Sequence, residues 1–100
     1  LKGSDKMSDK IESINMSVAV FSANLVTVKD VEEFVRVASS CPKGTDISVQ
    51  HGKFITDGKS LMGILSLNLS EPVEVEIKSD KSSEVMSKIL SQFDKWRVED

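Results

Sequence analysis

Lys59-Ser60-Leu61-Met62-Gly63-Ile64-Leu65-Ser66-Leu67 is the stretch on which the fold of this 100-residue chain turns. Asp57-Gly58 ahead of it breaks extended structure, and Ser70-Glu71-Pro72 closes it. Between those breaks, Ser60 can cap a helix, because a serine oxygen can accept from a free amide of the first helical turn. The interval therefore predicts a short apolar helix over Leu61 to Leu67. A helix of that length cannot bury Leu61, Met62, Ile64, Leu65 and Leu67 together, so some of them are left for a surface.

Working outward, Val73-Glu74-Val75-Glu76-Ile77 alternates apolar and acidic residues with the period of a half-buried strand. Beyond Ser79-Asp80-Lys81-Ser82, the stripe Val85, Met86, Ile89, Leu90 and Phe93 predicts a last helix over about Ser83 to Lys95. On the N-terminal side, Ile47 and Val49 alternate with Ser48 and Gln50. His51-Gly52 supplies a turn, and Phe54-Ile55-Thr56 resumes extended structure as the second arm of a hairpin.

Further upstream, Val28, Val31, Phe34, Val35 and Ala38 fall at helical spacing, with Lys29, Glu32, Glu33 and Arg36 on the other side. A helix from Val28 to Ser40 follows, stopped by Cys41-Pro42-Lys43-Gly44. Its start is signalled by Thr27 as N-cap, by Asp30 reaching back to complete a capping box, and by Val26 placed to staple onto Val31. Before it, Met16, Val18 and Val20 share one face of a strand and Ser17 and Ala19 the other. The predicted order is β-α-β-β-α-β-α, an α+β domain over residues 14–97. Residues 1–13 are polar without periodicity and read as a disordered leader or a remnant of expression; Leu1 is no translation start, and Met7 and Met16 are candidate ones.

Composition narrows the function classes. An apolar content of 39% suits one small core. The net charge of −3 is made of interspersed acids and bases, which argues against direct binding of nucleic acid or an anionic membrane. Leu61 to Leu69 is the longest strongly apolar run, too short for a bilayer, and no secretory leader is recognisable, so a soluble cytoplasmic protein is expected. Cys41 is the only cysteine and His51 the only histidine, which leaves no metal cluster, disulfide or catalytic triad to assemble; neither enzyme nor cofactor is predicted. His51 reads as an exposed turn residue with no carboxylate near it by local spacing. Gly58-Lys59-Ser60 has the ending of a phosphate-binding P-loop, but the spacing back to Gly52 is one residue too long and no full-length helix follows.

Lys59-Ser60-Leu61-Met62-Gly63-Ile64-Leu65-Ser66-Leu67 closely resembles the segment around the regulatory serine of the HPr family, the small phosphocarriers of the bacterial sugar phosphotransferase system. The resemblance runs from about Asn15 to Phe93 and continues at Phe34-Val35 with Ala38-Ser39. It implies an open-faced β-sandwich, in which three helices cover one face of a four-stranded antiparallel sheet. Two features depart from the family pattern: Asn68 stands where a glycine commonly follows the Ser-Leu pair, and Cys41-Pro42-Lys43-Gly44 adds two residues after the first helix.

The resemblance also implies a phosphorylatable histidine at the start of the first helix, followed by an arginine and a proline. Aligned backwards from Ala38, those positions hold Thr27, Lys29 and Asp30. The imidazole is gone, and a carboxylate in the first turn would occupy the capping amides and repel a phosphoryl dianion. The chain is thus expected to be a non-carrier HPr-like protein that binds a partner protein, similar to the HPr-like co-regulators of catabolite repression that lack the carrier histidine. An HPr serine kinase or a transcriptional or metabolic regulator is the expected kind of partner. Ser60 is the candidate phosphorylation site, although capping the short helix is a sufficient role for it. Leu61, Met62 and Leu65 are the candidate docking residues, each equally explicable as core. The alternative is an HPr-fold structural or interaction module with no phosphorylation role.

Overall fold

A computed structural model of the chain describes residues 16–98. The leader read over residues 1–13 lies outside them. Four strands, β1 (Ser17–Ala23), β2 (Thr45–His51), β3 (Phe54–Asp57) and β4 (Val73–Ser79), form one antiparallel sheet in the order β1-β4-β2-β3. Three helices, α1 (Val28–Ser39), α2 (Leu61–Leu65) and α3 (Ser83–Ser91), cover one of its faces, and a 3-10 turn, Asp94–Trp96, follows α3. The element order is the one that periodicity predicts.

Register explains which side chains face the helices, because residues directly opposite on neighbouring strands share a face. Val73, Val75 and Ile77 of β4 stand opposite Ala23, Phe21 and Ala19 of β1 on one side. On the other side, Val75 and Ile77 meet Val49 and Ile47 of β2. These rows, apart from the half-buried Ala19, join Val31, Phe34 and Ala38 from α1, Ile64 from α2 and Met86 and Ile89 from α3 in the core. Phe34 and Phe93 meet at its centre, 5.1 Å between ring centroids.

The alternation in β1 picks out the outward face. Met16, Val18 and Val20 are exposed, and Val18 and Val20 stand opposite Lys78 and Glu76 on the open side of the sheet. The core is fed instead by Phe21 and Ala23, whose opposite neighbours, Val75 and Val73, are themselves buried.

Other boundaries shift for local reasons. The hairpin turns at Gly52-Lys53, so His51 ends β2 opposite Phe54. Gly52 has φ +60° and no other residue of the turn has positive φ, the pattern of a two-residue loop with glycine first. The predicted staple does not form, since Val26 is 73% exposed, and Val28 likewise points to solvent at 57%. α2 ends at Leu65, although Leu67 remains buried through a tightened turn, its amide donating to Ile64 O at 3.0 Å. α3 stops at Ser91 because the amides of Gln92 and Phe93 bond back three residues, to Ile89 and Leu90, and the chain winds on as the 3-10 turn.

Candidate functional site

At the start of α1, Thr27 is extended (φ −118°, ψ 162°), and its Oγ1 accepts from the Asp30 amide at 3.0 Å. The Asp30 carboxylate reaches back, its Oδ2 accepting from the amides of Thr27 and Val26 at 3.1 Å each. The capping box is complete, so the two amides outside the helix already hold an anion. The Thr27 amide, above all, keeps the Asp30 carboxyl below its ordinary range; partial burial opposes this, and the Val26 amide, the Thr27 hydroxyl and the Trp96 indole assist. Lys29 is exposed beside them. Chemically, the site offers a threonine hydroxyl engaged as an acceptor and a filled amide pair.

At the start of α2, Ser60 is also extended, and its Oγ accepts from the Gly63 amide at 3.1 Å. The turn before it is fixed by Asp57, whose carboxylate accepts from the Lys59 amide at 2.9 Å and whose carbonyl accepts from the Ser60 amide at 3.0 Å. Gly63 must be a glycine here, because a Cβ would overlap the Thr56 hydroxyl and come within 2.9 Å of Ser60 Oγ. Ser60 is half-buried.

α1 and α2 pack side by side, so both helix starts belong to one helical layer. Of the three candidate docking residues, Met62 projects freely, 74% exposed, while Leu61 and Leu65 are half-buried against the core. Besides Met16, Val18 and Val20 on the open face of the sheet, exposed apolar side chains that the sequence did not single out as surface are Val26, Val28, Phe54 and Ile55. Phe54 and Ile55 read as ordinary strand residues, and only their place on the edge strand β3 exposes them.

His51 corrects the reading made from local spacing. Its Nε2 lies 2.7 Å from Glu71 Oε1, a carboxylate brought back by the loop after α2, and the imidazole is only 23% exposed. Cys41 is half-buried and free; burial pushes its thiol up, opposed by the charge of Lys59, and its Sγ sits 3.5 Å from Val37 O. A shallow depression of about 360 Å³ lies over Asp46, Ser48, Ile55 and Asp57 on the open face of the sheet. Among the described residues, no helix is long and apolar enough to cross a membrane.

Strand order, helix layer and connectivity together define an HPr-like open-faced β-sandwich. No protein-family model matches the chain, and no curated protein matches its sequence. Among solved structures it is similar to the crystal structure of HPr-C-His from Thermoanaerobacter tengcongensis, at 19% identity and a TM-score of 0.52, covering 81% of this chain and 92% of that one. The likeness is one of fold.

Proposed function

We propose that this chain is a regulatory, non-carrier HPr-like protein. In this reading it binds a partner protein through the helical layer around the starts of α1 and α2, and Ser60 is its phosphorylation site. The observation that carries the proposal is the closed capping box at Thr27 and Asp30. An acceptor site for a phosphoryl group needs a nucleophile and free amides, and here the nucleophile is a threonine, the Val26 and Thr27 amides are taken by Asp30, and its carboxylate repels a second anion. The exposure of Val26, Val28 and Met62 in the same helical layer supports binding as the remaining role.

Ser60 fits the regulatory part because a phosphate ester keeps an oxygen able to accept from the Gly63 amide, and Lys59 adjoins it. Modification there changes the charge beside Met62 without requiring the core to move. The competing reading, an interaction module with no phosphorylation role, has its own support: the Ser60 hydroxyl is already used as a cap and is half-buried.

Treatment with a kinase specific for HPr serines, read by mass spectrometry, separates the two. The expected result is one added phosphate on the wild-type protein and none on Ser60→Ala, with far-UV circular dichroism unchanged. If the wild type stays unmodified under conditions that fully modify an ordinary HPr, the module reading is the better one.

A further inference from the structure

The two edges of the sheet differ. Along β1 the C-terminal segment closes one end, where Ala23 bridges Arg97 and the Val98 amide donates to Ser22 O at 2.8 Å. Among the described residues, nothing pairs with β3 on its outer side. Hydrogen bonding alternates along an antiparallel pair, and the Gly58 amide donating to Ile47 O at 2.7 Å fixes the phase: Phe54 and Thr56 bond to β2, while Ile55 and Asp57 turn their backbone groups outward. An unpaired edge of this kind is a template for a further strand. Its centre is apolar, with Phe54 71% and Ile55 62% exposed on opposite faces. Lys53 and Asp57 flank them, both exposed and neither in an ion pair among the described residues.

We propose that β3 pairs antiparallel with β3 of a second copy of this chain, about a twofold axis at Ile55, so that one sheet runs through both molecules. Lys53-Phe54-Ile55-Thr56-Asp57 is self-complementary in that register. Ile55 stands opposite Ile55, Phe54 opposite Thr56, and Lys53 opposite Asp57, so the pair of opposite charges occurs twice across the axis. The backbone agrees independently. Ile55 exchanges its N–H and C=O with its counterpart, and the outward Asp57 N–H meets the Lys53 carbonyl. One Asp57 carboxylate oxygen accepts from the Lys59 amide at 2.9 Å, which leaves the other for Lys53 of the second copy. The neighbouring registers that keep this phase centre on Lys53 or Asp57 and set like charges face to face on the axis, so the charges select Ile55. The paired stretch is short, and the dimer is therefore a reversible one, formed at high concentration. None of this rests on the proposed function, and its test involves neither a kinase nor a foreign partner.

Sedimentation equilibrium from micromolar to near-millimolar protein tests the pairing. The wild type is expected to rise from the single-chain mass toward twice that mass, and Ile55→Lys, which sets two ammonium groups on the axis, to stay at the single-chain mass. Lys53→Asp and Asp57→Lys are each expected to associate about tenfold more weakly on their own, because both cross-strand charge pairs become repulsive. Mixed in equal amounts, the two variants are expected to recover the wild-type association, since every pair across the axis is then of opposite charge; a damaged fold would not recover. In the wild type, exchange of the Ile55 amide is expected to slow as concentration rises, a readout that needs no variant. A wild type that stays at the single-chain mass overturns the proposal and leaves the edge to an extended segment of another protein. A dimer that Ile55→Lys leaves intact, a mixture no tighter than its components, or an Ile55 amide indifferent to concentration overturns it as well.

Discussion

Thr27 and Asp30 close the helix start with side chains three residues apart, and this locality is why the sequence revealed the arrangement. A threonine followed at the third position by an acid, just before an apolar run, leaves little else for either side chain to do. Thr27→Ala removes the acceptor for the Asp30 amide and is expected to destabilise the domain by about 1 kcal/mol, read as a lower denaturant midpoint with unchanged slope. An unchanged midpoint would mean that the hydroxyl contributes nothing as a cap. Asp30 adds a pH dependence. Its folded-state pKa lies below the ordinary value of 3.8, so the stability it contributes is fully present above that pH and is lost as pH falls through the folded-state value. Thermal melts of wild type and Asp30→Asn should therefore converge as pH falls below 3.8, and a constant gap would show that the carboxylate titrates alike in both states. What the residue scale concealed were the partners distant in sequence. Glu71 beside His51 is set by the packing of separate elements, which no local spacing encodes.

Among the elements, α1 and β4 were legible because each carries a long, regular pattern against a single buried face. β1 was legible as a strand but not in its orientation. Its period is right, yet Met16, Val18 and Val20 face solvent, because the side of a strand that meets the helices is settled by Phe21 and Ala23 against Val75 and Val73. α3 was overextended: the apolar spacing from Met86 and Ile89 to Phe93 persists through a change from α to 3-10 winding, so side-chain pattern alone missed the break. The start of α1 carries the functional prediction at this scale. Incubation with labelled phosphoenolpyruvate and the general phosphotransferase enzyme should leave the protein unlabelled, because Thr27 offers no imidazole and the Asp30 carboxylate takes the Val26 and Thr27 amides and repels a phosphoryl group. Stoichiometric, acid-labile label would overturn the non-carrier reading. Thr27→His alone should restore little transfer while Asp30 remains.

At the scale of the whole molecule, one sheet face carries all three helices, and a domain this small has few large side chains with which to hold them. The aromatic cluster does much of that. Phe93 lies between Phe21, 6.2 Å away, and Phe34, while Trp96 meets Phe34 and Phe93 at 5.5 and 6.1 Å. Trp96 therefore ties the C-terminal segment to α1, and the amides of Asn24 and Val98 tie it to the end of β1 and the loop that follows. Trp96 lies inside the predicted domain but past the last apolar stripe, so periodicity does not mark it as core; the 3-10 turn folds it inward. Replacing a buried tryptophan with alanine costs about 3–5 kcal/mol, and domains of this kind have only about 5–15 kcal/mol in total. Trp96→Ala should accordingly shift the denaturant midpoint far more than Thr27→Ala, with Trp96→Phe between them because it keeps most of the ring volume. Far-UV circular dichroism is the measurement to use, since the substitution removes the only indole fluorophore. A wild-type midpoint in Trp96→Ala would show that the C-terminal segment is not part of the core, and that α1 is held by Phe34 and Phe93 without it.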